Sequence, residues 1–253
     1  MNLKAVKALY FNELKRAKRT IGQTVLSPVI STSLYFVIFG SALGARIQEV
    51  EGISYASFIV PGLMMLTVLN QSVTGASFSL YLPRLTGAIY EVLCAPLSYF
   101  EIALAYIAAA TTRAMVVGLI ILGTSRLFIP FDIAHPSIML LLLLLTCVTF
   151  SMLGFIIGLW ADSFEKIEIV PRLIITPLSF LGGSFYSIDM LSPLWQKISM
   201  FNPVVYLISA FRWSFFEHAD VPLATSLIAI SVFLLFGMVI IRWIFTTGYR
   251  LKS

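Results

Sequence analysis

Six consecutive leucines, Leu140 to Leu145, stand inside a stretch from Ser137 to Trp160 that carries no charge at all. A helix rises 1.5 Å per residue, so about 20 apolar residues cross the roughly 30 Å hydrocarbon core of a bilayer. The stretch is long enough, and it is not alone. Segments 24–43, 57–80, 100–123, 167–186 and 222–245 have the same character, so six transmembrane helices are expected, all α, in a single membrane domain over 1–253. Composition agrees: 59% of residues are hydrophobic and only 11% charged, where soluble domains carry roughly 25% charged. The fifth span is the weakest of the six. Pro171 and Pro177 interrupt it, and Gly182-Gly183 ends it.

The apolar run before Ala42-Leu43-Gly44 is too long for a signal-peptide core and reads as a retained span. Cys94 and Cys147 lie in different apolar segments without CxxC spacing, which speaks against a disulfide framework or a zinc site. Histidines 135 and 218 are solitary loop residues.

Charge sets the orientation. Of 17 basic residues, Lys4, Lys7, Lys15, Arg16, Lys18 and Arg19 crowd the N-terminus. With that end cytoplasmic, Arg84, Lys166, Arg172, Arg242, Arg250 and Lys252 join them. Only Arg46, Arg126, Lys197 and Arg212 fall outside. The bias predicts both termini in the cytoplasm of a multi-pass membrane protein. The basic N-terminus faces anionic membrane lipids rather than nucleic acid, because no aromatic-interleaved basic surface follows it. Within it Leu3, Val6, Tyr10, Leu14, Ala17 and Ile21 step by threes and fours, the stripe of an amphipathic helix over 1–22 lying in the membrane interface. Phe11 lies off the stripe.

Two segments depart from simple spans. The stretch from Pro83 to Pro96 reads as a short cytoplasmic helix, with Pro83 in its first turn, Pro96 at its stop, and Leu85, Ile89 and Val92 on one face. The outer stretch 183–216 is apolar but holds no full span, so it reads as re-entrant or extracytoplasmic helices. Arg113 is the ionisable residue deep inside a span, and cost requires it to face protein or water rather than lipid. The glycine pairs Gly40/Gly44 and Gly154/Gly158 permit close helix approach.

Enzyme chemistry finds no support. There is no GxxxxGK[ST] phosphate loop, no HExxH, no GxSxG and no pair of intramembrane acids. An ion-coupled carrier or channel, or a structural assembly protein of the membrane, stays open as an alternative.

These features occur together in a known family. The chain resembles the permease subunit of type-2 ABC exporters, nearest the bacterial YadH-like group. The likeness rests on the basic amphipathic N-terminus, on Arg84-Leu85-Thr86-Gly87-Ala88-Ile89-Tyr90-Glu91-Val92-Leu93-Cys94-Ala95-Pro96-Leu97-Ser98, on Gly182-Gly183-Ser184-Phe185-Tyr186-Ser187 and on Phe201-Asn202-Pro203-Val204-Val205-Tyr206. The resemblance implies that 84–96 is a coupling helix docking on a separate ABC ATPase subunit, through Arg84, Thr86, Gly87, Ile89, Tyr90 and Glu91. It implies an extracytoplasmic gate that includes Gly182, Gly183, Phe185, Tyr186, Asn202 and Pro203. It further implies a pairing with a second copy of the chain, with two ATPases, and with ATP and Mg bound by that partner rather than by any cofactor site here. The substrate implied is amphipathic: a drug, lipid or lipid-linked glycan moved outward.

The topology is checked by single cysteines placed at Ser54, Ser137, Ser192 and Ser253. In intact cells an impermeant maleimide is expected to label the first three and to spare the last; labelling at 253 alone would invert the orientation.

Overall fold

A computed structural model of the chain describes residues 2–39 and 49–247. Its elements in order are α1 (Leu3–Arg19), α2 (Ser27–Ile38), β1 (Glu49–Val50), β2 (Ile53–Ser54), α3 (Tyr55–Thr86), α4 (Ile89–Cys94), α5 (Tyr99–Phe128), α6 (Pro136–Trp160), α7 (Phe164–Val170), α8 (Thr176–Leu181), α9 (Pro193–Ser199), α10 (Pro203–Phe216) and α11 (Leu223–Thr247). Wide π turns at Gly22–Leu26 and Pro171–Ile175 join α1 to α2 and α7 to α8. The one strand pair among the described residues is a hairpin whose two turn residues, Glu51 and Gly52, both have positive φ (55° and 77°), as a two-residue turn of this twist requires.

Helix starts follow the sequence closely. Asn2 accepts from the Ala5 N–H at 3.3 Å and opens α1. Ser98 and Glu101 form a capping box for α5, the Ser98 N–H reaching Glu101 Oε2 at 2.7 Å. The other Glu101 oxygen accepts from the Asn2 N–H, which fixes the beginning of α1 to the beginning of α5. Pro136 and Pro203 occupy the first turns of α6 and α10, where a missing N–H costs nothing.

The bundle is built around α3. Of its most apolar stretch 78% is buried, against 17% for α11, which runs along the rim with Val232, Leu235, Phe236 and Val239 exposed. Glycine lets backbones meet on α3. A Cβ added to Gly154 of α6 would strike the Val73 carbonyl, and one on Gly158 would sit 2.8 Å from the Ser77 carbonyl. Ser77 Oγ in turn donates to the Gly154 carbonyl at 2.9 Å. The Gly154/Gly158 pair therefore packs two helices of the same chain; Gly40 and Gly44 lie outside the described residues.

Among the described residues four helices are long and apolar enough to cross a membrane, α3, α5, α6 and α11, rather than the six expected. The expected span 24–43 begins as α2, which meets α1 at 81°, and the bent pair counts at most as a fifth; residues 40–43 lie outside the described residues. The expected span 167–186 is instead a broken helix from Phe164 to Leu181. Its first half carries Glu165, Lys166, Glu168 and Arg172, and Pro171, lacking an N–H, starts the π turn in its middle. Arg172 pairs with Glu168 one turn back at 2.7 Å.

The N-terminal helix keeps the middle of its expected stripe, with Val6, Tyr10, Leu14 and Ala17 half-buried, but not its ends. Leu3 and Ile21 are exposed, as is Phe11, and the buried residue on α1 is Glu13. Leu9, Tyr10 and Ala17 share its inward side, so polar and apolar positions alternate on the face that meets α5. Tyr10 and Thr112 join their hydroxyls there at 2.9 Å.

Gly154→Val should lower the melting temperature of the detergent-purified chain by an amount matching about 1–3 kcal/mol or more, since a backbone carbonyl cannot swing aside. Gly123→Ala is the control: nothing lies within 4 Å of its added Cβ, and it should be neutral or stabilise by roughly 0.5–1 kcal/mol.

Candidate functional site

Two polar clusters sit in this apolar bundle, at opposite halves of α3, and a short exposed helix caps one end. The first cluster lies where the α8–α10 segment folds back on the start of α3. Gly183 adopts a left-handed conformation (φ 83°) and turns the chain; Gly182 does not, although its close fit against Val204 and Ile208 leaves no room for a side chain. The following backbone at Ser184 lies directly on Gly62 of α3, where any Cβ would collide with it. Tyr55 donates to the Phe185 carbonyl at 3.2 Å and ties the same turn to α3.

Arg212 of α10 points into this junction and is 1% exposed. Its Nη1 lies 2.6 Å from Asp220 Oδ2, its Nη2 donates to the Gly183 carbonyl at 2.5 Å, and its guanidinium stacks over the Phe58 ring at 4.0 Å. Asp220 Oδ1 accepts from the Ile188 N–H at 2.7 Å and from Ser187 Oγ at 2.6 Å; Ser187 Oγ also approaches Glu51 Oε1 at 2.7 Å. One arginine thus joins the 183 turn, the 187–188 turn and the loop before α11. In so dry a site a lone charge is strongly disfavoured, and the pair persists because both partners are present. Sequence reading placed Arg212 among the outer loop charges. The signal available was a lone arginine on the inner side of an otherwise apolar run, in step with Ile208, Phe211 and Phe215, with Asp220 just beyond the helix.

The residues expected at the outer end are partly assembled around this pair. Asn202, 3% exposed, caps α10 by accepting from the Val204 N–H at 3.0 Å and donates to the Leu178 carbonyl at 2.6 Å. Pro203 takes the first helical position, and Tyr186 packs near Val205. Phe185 stacks on Phe180 and meets Phe39 at a tilt. The outer stretch is helical, not extended. α10 is inserted among α3, α6 and α11, while α9 leaves Leu194, Trp195 and Phe201 exposed. His135 is not solitary: it stacks on Trp213 and meets Glu217 at 3.0 Å.

At the other end, the Pro83–Pro96 reading needs redrawing. Pro83 lies inside α3, which runs on to Thr86 and stops at Gly87 (φ 76°). The separate helix α4 begins only at Ile89. Arg84 therefore belongs to α3, and its Nη1 donates to the Gly158 and Leu159 carbonyls at the end of α6, at 3.1 and 2.5 Å. Thr86 bonds back to Leu82 of its own helix at 3.1 Å. Ile89, Val92 and Leu93 pack inward against Leu80, Ile102 and Phe155, while Leu85 is exposed, because the bend at Gly87 takes it off that face. Tyr90, 62% exposed, and Glu91 face outward.

The second cluster surrounds Arg113 in the middle of α5. Arg113 faces protein, as cost requires: its Nη2 reaches Ser79 Oγ at 3.4 Å and lies against Gly75. Arg16 of α1 donates to the Ser79 carbonyl at 3.1 Å and pairs with Glu13 at 2.7 Å. The sequence reading did not connect Arg113 to the N-terminal helix.

Residues 4–216 match the ABC-2 type transporter family. The chain belongs to that family. Over 249 residues it is 37% identical to the inner membrane transport permease YadH of Escherichia coli K12, spanning 98% of this chain and 97% of that one. It is 24% identical over 203 residues to nodulation protein J of Neorhizobium galegae (79% and 77% of the two chains) and 25% identical over 225 residues to nodulation protein J of Sinorhizobium fredii NGR234 (87% and 82%). This permease is thus a membrane transport protein, of a family not catalytic by itself, and its YadH relative is an inner membrane permease.

Asp220→Asn should destabilise the permease by about 3–5 kcal/mol, because it strands a buried guanidinium. Replacing both partners, Arg212→Met with Asp220→Leu, should recover much of that loss. A double cycle read by thermal unfolding in detergent measures the coupling, and additive losses would mean that the pair is not an interacting unit.

Proposed function

We propose that this permease is the membrane half of an ATP-driven exporter, moving an amphipathic substrate outward across the inner membrane in partnership with separate ABC ATPase subunits. The observation that carries the reading is the Gly87 junction. A long buried helix stops at a left-handed glycine, and a short helix follows that is anchored on one side and exposes Tyr90 and Glu91 on the other. An exposed helix held firmly by its inner face is what a docked motor subunit needs in order to move the spans. Coupling requires such a contiguous element between the two sites. Family membership supports the partner, and a sequence without a phosphate loop fits ATP hydrolysis on another chain.

In this reading α2 with the residues after it forms the first span and the broken helix 164–181 the fifth, giving six, with both termini cytoplasmic. Two copies of the permease pair and two ATPases dock on their α4 helices. The bent α1, at 81° to the helix that follows, lies along the inner membrane surface among lipid headgroups. The α9–α10 segment closes the outer side. Arg84, bound to α6, acts as a strut that shares α4's displacement with the α6 end rather than as a docking contact. The substrates in this reading are drugs, lipids or lipid-linked glycans.

The purified chain alone should hydrolyse no ATP, and should gain hydrolysis on co-expression with an ABC ATPase. Glu91→Ala and Tyr90→Ala should each weaken that assembly by about 5–150-fold, the loss of a desolvated polar contact of roughly 1–3 kcal/mol. Arg84→Ala should leave assembly intact but separate hydrolysis from transport. Unchanged assembly and transport in the Tyr90 and Glu91 variants would remove α4 as the docking element.

A further inference from the structure

A groove of about 360 Å³ opens between the end of α1 and the middle of α3. Two guanidiniums border it, Arg16 and Arg113, beside the polar side chains of Thr24, Thr74 and Gln71. Phe78 and Leu82 supply an apolar wall. The space is ample for several waters or for a small polar headgroup.

The charges do not balance. Among the described residues Glu13 is the one carboxylate beside these guanidiniums, and Arg16 takes it at 2.7 Å while also holding the Ser79 carbonyl. Arg113, with five N–H donors, has a single hydrogen bond among the described residues, the 3.4 Å contact to Ser79 Oγ. Two cations against one anion leave about one net positive charge in a bundle otherwise apolar, a state that an oxyanion would neutralise. The geometry is held in place. Gly75 offers no side chain, so the Arg113 guanidinium lies against the backbone of α3 there, and any Cβ would displace it. A fixed planar fork with free donors suits a phosphate or a carboxylate, both of which it can bind bidentately. Gln71 also lines a second groove of about 290 Å³ between α2 and α3, with Ser31, Thr67, Asn70 and Phe180 on its walls.

We infer that the Arg16–Arg113 groove binds the oxyanion headgroup, phosphate or carboxylate, of an amphipathic molecule, with Arg113 as the residue that supplies the uncompensated charge. That this molecule is the permease's cargo rests on the exporter reading above; that the groove takes an anion does not.

The test uses the full-length permease purified in a nonionic detergent, titrated with decyl phosphate, decanol and inorganic phosphate, with saturable binding followed by thermophoresis. Decyl phosphate should bind at least about tenfold more tightly than decanol, and Arg113→Gln should weaken it by roughly tenfold to a hundredfold, the range of a charge-assisted hydrogen bond. Arg113→Lys, which keeps the charge without the fork, should lose less. Thr74→Leu fills the groove without touching a charge and should also weaken binding, which covers the case of an Arg113 variant that does not fold. Equal affinity for decyl phosphate and decanol, or binding unmoved by Arg113→Gln and Thr74→Leu, overturns the site. Inorganic phosphate binding as tightly as decyl phosphate overturns the amphiphile and leaves a free-anion site. Binding is read without an ATPase, so a permease that binds decyl phosphate but never acquires coupled hydrolysis refutes the exporter reading alone.

Discussion

Close backbone approach to α3 is the condition on which the rest of the bundle depends. In lipid there is no water to release between helices, so association relies on packing and on polar contacts, and small residues let helices come near enough for both. Here the close contacts are spread along the length of one helix, α3, with the glycine on α3 in two of them and on α6 in the others. Gly62 receives the Ser184 backbone, Gly75 receives the Arg113 guanidinium, and Gly154 and Gly158 bring α6 against Val73 and Ser77. Each contact fixes a different neighbour of α3, so the turn at Ser184, the α5 arginine and α6 are all registered on the same rod.

That rod also keeps two charged clusters apart. Arg212 with Asp220 belongs to the end near Phe58, and Arg113 with Arg16 and Glu13 to the half near Gly75 and Ser79. Both are costly in an apolar setting, but they are satisfied differently. The first is enclosed, with each oxygen of Asp220 engaged and the guanidinium shared among a carboxylate, a carbonyl and a ring, its Nε alone left without a partner among the described residues. The second is open to a groove and keeps donors to spare. An enclosed network stiffens a junction, whereas an open one leaves affinity for something else.

Much of this was visible in the sequence, and the exceptions share a cause. Spans that became α3, α5, α6 and α11 were legible because apolar runs of that length have few alternatives. The Gly87 stop was misplaced because Pro83 looks like a helix start, yet four residues from the end of a long helix it forfeits only one bond. Arg212 was counted as a loop charge because nothing in its own neighbourhood reveals Asp220, Gly183 and Phe58, which converge only through the return of α10 into the bundle. Glu13 was missed in the same way: on a basic amphipathic helix an acid reads as surface, and only α5 and Ser79 make it an interior residue. Local pattern predicts elements; the partners of buried charges come from topology.

The π turn at Pro171–Ile175 gives the helix from Phe164 to Leu181 one residue more than an α-helical turn holds. Each residue of an α-helix accounts for about 100° of rotation and 1.5 Å of advance. If that surplus residue were taken up, α8 would turn by about a quarter of a circle relative to α7 and shift by the height of a single step. Thr176, which now reaches Asn70 at 3.3 Å, and Phe180, which now stacks on Phe185, would both leave their places. The helix thus holds a dislocation, a surplus residue whose loss would re-aim its second half like a screw while its first half kept its place.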